Sequence, residues 1–108
     1  MPVYRKLVRD RIPEIVLQGG KDCRFRVLEE EEYKIELRRK LHEELREYEA
    51  AIDDSAALEE LADLLELIRA AADLHEGGFD RAEEIRRAKE ESRGRFQKRL
   101  YLIEVDEE

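Results

Sequence analysis

Between Glu30 and Ile52, apolar side chains return at steps of three or four: Leu37, Leu41, Leu45, Tyr48 and Ile52. That period predicts a long two-faced helix. Asp53-Asp54-Ser55 then offers turn and capping chemistry, and Leu58, Leu61, Leu64, Leu65, Ile68 and Ala72 mark another helix running on to Gly77-Gly78. So short a connection makes the two helices fold back antiparallel. A third helical pattern runs from Phe79 to about Arg93 and stops at Gly94. Ahead of the hairpin, Leu7 to Leu17 reads as a short extended entry followed by a helix. Asp10 is its candidate cap, Pro13 is tolerable only in its first turn, and Gly19-Gly20 ends it. Phe25, Val27 and Leu28 alternate partially with Arg24 and Arg26 as a short strand would, and Leu100–Val105 is β-favouring and could pair with it. The expected fold is mainly α, a single domain over residues 1–108. It comprises an antiparallel helical hairpin plus additional helices, with short N- and C-terminal strands, assembling into an oligomeric helical bundle.

A chain of 108 residues has room for one core, and with 42% apolar and 46% charged residues its helices must be strongly amphipathic. The net charge of −8 is unevenly spread. Residues 1–28 hold seven basic and three acidic side chains, residues 29–80 hold six and eighteen, and residues 81–108 hold eight of each. An acidic middle of this kind repels nucleic-acid phosphates and suits capture of divalent metal, so no nucleic-acid polymer is expected as a partner. Cys23 is the single cysteine, which rules out an intrachain disulfide or a cysteine-based zinc cluster and suits a reducing compartment. The start, Met1-Pro-Val-Tyr-Arg-Lys-Leu, is charged where a secretory signal needs an apolar run, and no run of eighteen apolar residues follows. A soluble, cytoplasmic protein without membrane contact is expected.

Acids spaced three apart are common in this chain, among them Glu29/Glu32, Glu44/Glu47, Glu60/Asp63 and Asp80/Glu83. For any single pair the default reading is a solvated helix face. Two pairs differ because they interrupt stripes that the helices need for packing. Glu44 lies three after Leu41 and four before Tyr48, with Glu47 one turn on, while Glu60 and Asp63 continue a row from Ala56 to Leu67. In a hairpin centred on residues 53–54, Glu44 falls level with Asp63 and Glu47 level with Glu60, so all four are expected to meet. Facing each other across helices roughly 8–10 Å apart, they cannot all stay ionised without compensation. A cation resolves the conflict. Oxygen-only ligands select a hard ion, and Mg²⁺ fits because it keeps several waters and accepts phosphate oxygens; Mn²⁺ could replace it. Glu43, turned roughly 100° from Glu44 around the helix, is a candidate outer ligand or base, or a plain surface acid.

Lys40–Ala51 (KLHEELREYEAA), with E-E-x-x-E at Glu43, Glu44 and Glu47, and Ala57–Ile68 (ALEELADLLELI), with E-x-x-D at Glu60 and Asp63, resemble the MazG-like all-α nucleoside triphosphate pyrophosphohydrolases. That superfamily also includes the phosphoribosyl-ATP pyrophosphohydrolases. Lys6–Val16 (KLVRDRIPEIV) resembles the opening of a short single-domain branch with presumed nucleotide house-cleaning roles. Ala88–Phe96 (AKEESRGRF) is similar to that branch's ending, except that Arg95 stands where a second Gly is common. The resemblance implies a mainly α fold, a dimer or larger homo-oligomer, Mg²⁺ dependence, and hydrolysis of a nucleoside triphosphate to monophosphate and pyrophosphate. It assigns metal binding to Glu44, Glu47, Glu60 and Asp63, and a metal or water-activating role to Glu43; Glu43 and Glu47 are the expected catalytic pair.

Pyrophosphate release also needs positive charge near the phosphates. Lys40 sits one turn before Glu44, and Lys89 and Arg93 are four apart near the end of the third pattern; these are the expected substrate contacts, although a solvated charge is the default reading for each. Lys6, Arg9 and Arg11 form the sharpest basic cluster, suited to phosphate, to another subunit, or to solvent alone. His42 and His75 have no partner arrangement that marks them as catalytic. Tyr48 and Phe96 suit packing or base stacking. Apolar positions such as Leu61/Leu65/Ile68 and Leu100/Leu102 are left to be covered, so a homodimer or higher homo-oligomer is expected. The rival readings are a phosphoribosyl-ATP pyrophosphohydrolase, a noncatalytic helical oligomerisation module, and a member that binds without turnover.

Overall fold

The computed structural model describes residues 2–107, so Met1 and Glu108 of the expected domain lie outside it. Four helices follow one another: α1 (Ile12–Gln18), α2 (Glu30–Glu49), α3 (Asp54–Ala72) and α4 (Gly78–Arg93). Helices α2 and α3 form the antiparallel hairpin that the apolar periodicity predicts, and it is the principal helix–helix contact. Helix α4 touches α3 but not α2, and α1 packs on none of the other three.

Local chemistry accounts for the hairpin's bounds. Glu30, Glu31 and Glu32 occupy the first turn of α2, where carboxylates oppose the positive end of the helix dipole. The helix stops at Glu49 rather than reaching Ile52, because the chain needs residues 50–53 to reverse direction; Ile52 is left almost fully exposed. Asp53, in extended conformation, then caps α3 by accepting the Ala56 N–H at 2.8 Å.

Helix α3 ends at Ala72, five residues before the glycines expected to stop it. Residues 73–77 make the turn into α4, and the Asp73 carboxylate accepts the Phe79 N–H at 3.0 Å. Gly77 and Gly78 have φ of 91° and 60°, and a Cβ on Gly77 would stand 2.7 Å from the Arg81 Cβ. Those glycines serve the start of α4, not the end of α3. The Arg69 guanidinium lies 4.3 Å over the Phe79 ring and joins the two helices there.

Helix α1 begins after Arg11, not Asp10, and carries Pro13 in its first turn as expected. Gly19 closes it and Gly94 closes α4. No strand forms among the described residues. Phe25, Val27, Leu100 and Leu102 are exposed and unpaired, and a two-stranded ribbon with nothing packed on it is marginal at best.

The core is thin. Leu37, 2% exposed, is the one buried apolar side chain among the described residues. The radius of gyration is 18.6 Å, whereas a compact chain of this length would have about 13 Å. Along α3, Leu58, Leu61, Leu65 and Ile68 recur at steps of three and four and remain exposed. No helix is long and apolar enough to cross a membrane among the described residues.

Candidate metal centre

The hairpin brings Glu44 of α2 against Glu60 and Asp63 of α3, one oxygen of each lying within 4.8 Å of the others. Glu44 also forms such a group with Glu43 and Glu47 on its own helix. The four acids expected to meet, together with Glu43, therefore form two triads sharing Glu44. Glu44 is only 6% exposed, Glu60, Asp63 and Glu43 are half-buried, and Glu47 stands on the open side.

Glu44 Oε2 and Glu60 Oε2 are both buried without a hydrogen-bond partner. Two ionised carboxylates cannot donate to one another, so each sits desolvated and unpaired, an arrangement far from the norm for folded proteins. The Glu44 carboxyl is pushed up to about 8. Burial is the first cause, followed by the hydrogen bond that a protonated Glu44 gives Glu60, then by the charge and hydrogen bonding of Glu47 and the charge of Asp63. A carboxyl raised in this way keeps its proton to higher pH than a solvated acid does. A cation bound there would release that proton. The donor set is all oxygen, and its unpartnered buried atoms point inward, so the residues fit a hard divalent ion.

Two cations border the cluster. Lys40 Nζ is 3.4 Å from Glu43 Oε2 and 3.7 Å from Glu44 Oε1, which places it where the spacing predicts but in the hands of the acids. Arg9, from the segment before α1, holds Asp63 Oδ1 through Nη2 at 2.7 Å. The sequence marked Arg9 only as part of a basic cluster; its reach to α3 depends on how the N-terminal segment crosses the hairpin, which no local spacing encodes. Arg11, in the same cluster, pairs with Glu14 instead.

Lys89 and Arg93 are exposed on α4, and neither pairs with the four carboxylates among the described residues. His42 and His75 are exposed, Tyr48 is partly exposed, and Phe96 is 97% exposed and packs on no core. Cys23 is half-buried, its thiol 3.9 Å from the Pro13 carbonyl oxygen.

No family model matches the chain. No solved structure matches it significantly. A protein of Mycolicibacterium smegmatis (strain ATCC 700084 / mc(2)155), described as uncharacterized, is 46% identical over 54 residues, or 50% of this chain and 55% of that protein. The chain thus spans about half the length of the curated relative it matches, and the likeness is to half of each sequence.

Proposed function

We propose that this chain is a Mg²⁺-dependent nucleotide pyrophosphohydrolase of the MazG-like kind, cutting a nucleoside triphosphate into monophosphate and pyrophosphate. The observation that carries the reading is Glu44: a buried carboxyl with an unpartnered oxygen, aimed at Glu60 and Asp63 inside a hairpin otherwise built for apolar packing. The motif order around Lys40–Ala51 and Ala57–Ile68 supports it independently.

Glu44, Glu47, Glu60 and Asp63 would hold the ion. When bound, Mg²⁺ supplies positive charge to phosphate oxygens and acidifies the attacking water. Glu43 lies at the rim, half-buried and 3.4 Å from Lys40, and would accept the water's proton once Lys40 turns to the phosphates. Lys40, released from Glu43, meets a phosphate oxygen. Arg9 steadies Asp63 and so fixes the α3 side of the cluster.

A second copy of the chain covers the exposed α3 row of Leu58, Leu61, Leu65 and Ile68, since one buried leucine is too little core for a stable single chain. Leu65→Glu is expected to convert a dimeric or larger species into monomer in light scattering. An oligomerisation module without catalysis would share that result. It would not share metal-dependent stabilisation or turnover.

The deciding assay is pyrophosphate release from ribo-, deoxy- and modified nucleoside triphosphates and from phosphoribosyl-ATP, with Mg²⁺ or chelator, for the native chain and Glu47→Gln. Metal-dependent release that collapses in the variant is expected; release from phosphoribosyl-ATP alone would move the protein to that activity. No release from any of them would refute the enzymatic reading.

A further inference from the structure

Residues 4–7, ahead of α1, lie along α2 between Glu36 and Arg46 and leave an open cleft of about 580 Å³. Its walls carry five cationic side chains and two carboxylates, in the middle of a chain whose net charge is −8. Both acids are accounted for: Glu36 binds Arg39 at 2.8 Å, and Glu43 binds Lys40 at 3.4 Å. Arg5, Lys6 and Arg46 are left without a carboxylate among the described residues, Lys6 resting instead over the Tyr4 ring at 5.4 Å. Arg5 has φ of 46°, a left-handed conformation that few non-glycine residues adopt.

Glu43 belongs both to this cleft and to the acidic triad with Glu44 and Glu47. The basic cleft and the carboxylate cluster are therefore adjoining halves of one surface. We propose that the cleft holds the two terminal phosphates of a nucleoside triphosphate, the part that leaves as pyrophosphate, while the carboxylate cluster engages the bond to be cut. This rests on the pyrophosphohydrolase reading and names a second subsite for it. The diphosphate end carries the densest negative charge of such a substrate, and guanidinium groups such as those of Arg5 and Arg46 bind phosphate oxygens in pairs. The nucleoside end has less to meet here, since Tyr4 and His42 are the rings lining the cleft and Lys6 already lies over that of Tyr4.

The test is isothermal titration of the full chain in chelator with inorganic pyrophosphate and, separately, with AMP. Pyrophosphate is expected to bind the native chain more tightly than AMP. Arg5→Ala combined with Arg46→Ala should weaken pyrophosphate at least about tenfold, the loss of two charge-assisted contacts. Arg87→Ala, which removes an exposed cation on α4, should leave it unchanged. Arg5 and Arg46 are both exposed, so the double variant is expected to fold, and circular dichroism checks that it does. Glu44→Gln separates this subsite from the metal centre, because it should abolish turnover and keep metal-free pyrophosphate binding. Absence of pyrophosphate binding to the native chain, AMP binding as tightly, or an equal loss in Arg87→Ala would each overturn the assignment.

Discussion

Glu44 on α2 and Glu83 on α4 are the same residue type, each with a second acid three positions away, yet the protein treats them in opposite ways. Glu83, on α4, is held by Arg86 at 2.6 Å and by Arg87 at 3.3 Å, and the Arg86 hydrogen bond keeps its carboxyl below the usual carboxylate range. Glu44, on α2, is buried among Glu60, Asp63, Glu47 and Glu43, with Lys40 as its nearest cation at 3.7 Å, and its carboxyl is pushed up to about 8. An acid on a solvated helix face is answered by the cations one turn away. An acid in a packing stripe is met mainly by other acids, which raises its pKa and suits it to a cation. Compensation, not spacing, separates a surface carboxylate from a candidate ligand.

The largest expected effect breaks or keeps that distinction at the level of turnover. Losing a ligand should cost more than the 10–100-fold typical of losing a ligand's supporting partner, so Glu60→Gln is expected to cut Mg²⁺-dependent pyrophosphate release by at least about 100-fold. Glu83→Gln should leave it within about twofold, as surface substitutions do. Equal losses in a pyrophosphate-release assay would mean that the two acids do not differ in function.

Next in size is stabilisation by metal. At free Mg²⁺ about 100 times its dissociation constant, binding to the folded chain adds about 2.7 kcal/mol, and each kcal/mol moves the Tm of a domain this size by about 4–8 °C. Calorimetry should show that rise for the native chain and for Glu83→Gln, and none for Glu44→Gln. A native Tm indifferent to Mg²⁺ would leave the cluster without its ion.

Much of the hairpin was legible in the sequence. The steps from Leu37 to Tyr48 and from Leu58 to Ile68 fix two amphipathic helices, and Asp53 marks the cap between them. The interruption of those stripes by Glu44 and Glu60 singled out the cluster, where spacing alone gave Asp80 and Glu83 equal standing. Hairpin arithmetic was coarser: it matched Glu44 with Asp63 and Glu47 with Glu60, whereas side-chain reach gathers Glu60 and Asp63 around Glu44 and leaves Glu47 on the open side. Arg9 and the cleft of residues 4–7 were not legible as part of the site, because an irregular segment has no period to betray its path. The strand expectation at Phe25–Leu28 and Leu100–Val105 failed for a related reason. β-favouring side chains specify a strand only when a partner and a cover exist, and the chain supplies neither among the described residues.

A smaller effect lies in the pH dependence of the metal-free chain. A carboxyl whose folded pKa is raised binds its proton more firmly in the folded state. Its ionisation therefore weakens the fold as pH climbs from the ordinary 4.5 toward about 8, and the full cost is present above that. Lys40 offsets part of it, and Glu43, Glu47, Glu60 and Asp63 add to it. In chelator, Glu44→Gln should thus match the native Tm near pH 5 and exceed it by a few degrees above pH 8. A native Tm that rises between pH 6 and 8 relative to the variant would reverse the sign and refute the burial of an uncompensated acid.

The smallest effect is the mirror of that one. Glu83 is held in its charged form by Arg86 and Arg87, so its contribution is present above the ordinary carboxylate range and fades as pH falls through its lowered value. Arg86 and Arg87 are exposed and Glu83 is partly so, and ion pairs reached by water contribute little and are screened by salt. Glu83→Gln is expected to lower the Tm slightly at pH 7 in dilute buffer, to lose that difference in 0.5 M salt (about a 4–5 Å screening length), and to lose it again in acid. Glu44→Gln must do the opposite, gaining on the native chain as pH rises and keeping most of that difference in salt, because a buried charge is poorly screened. Two substitutions of the same chemistry with opposite signs and opposite salt sensitivity are what distinguish an acid the fold has answered from one it leaves for a ligand; responses of the same sign would erase the contrast between α4 and the hairpin.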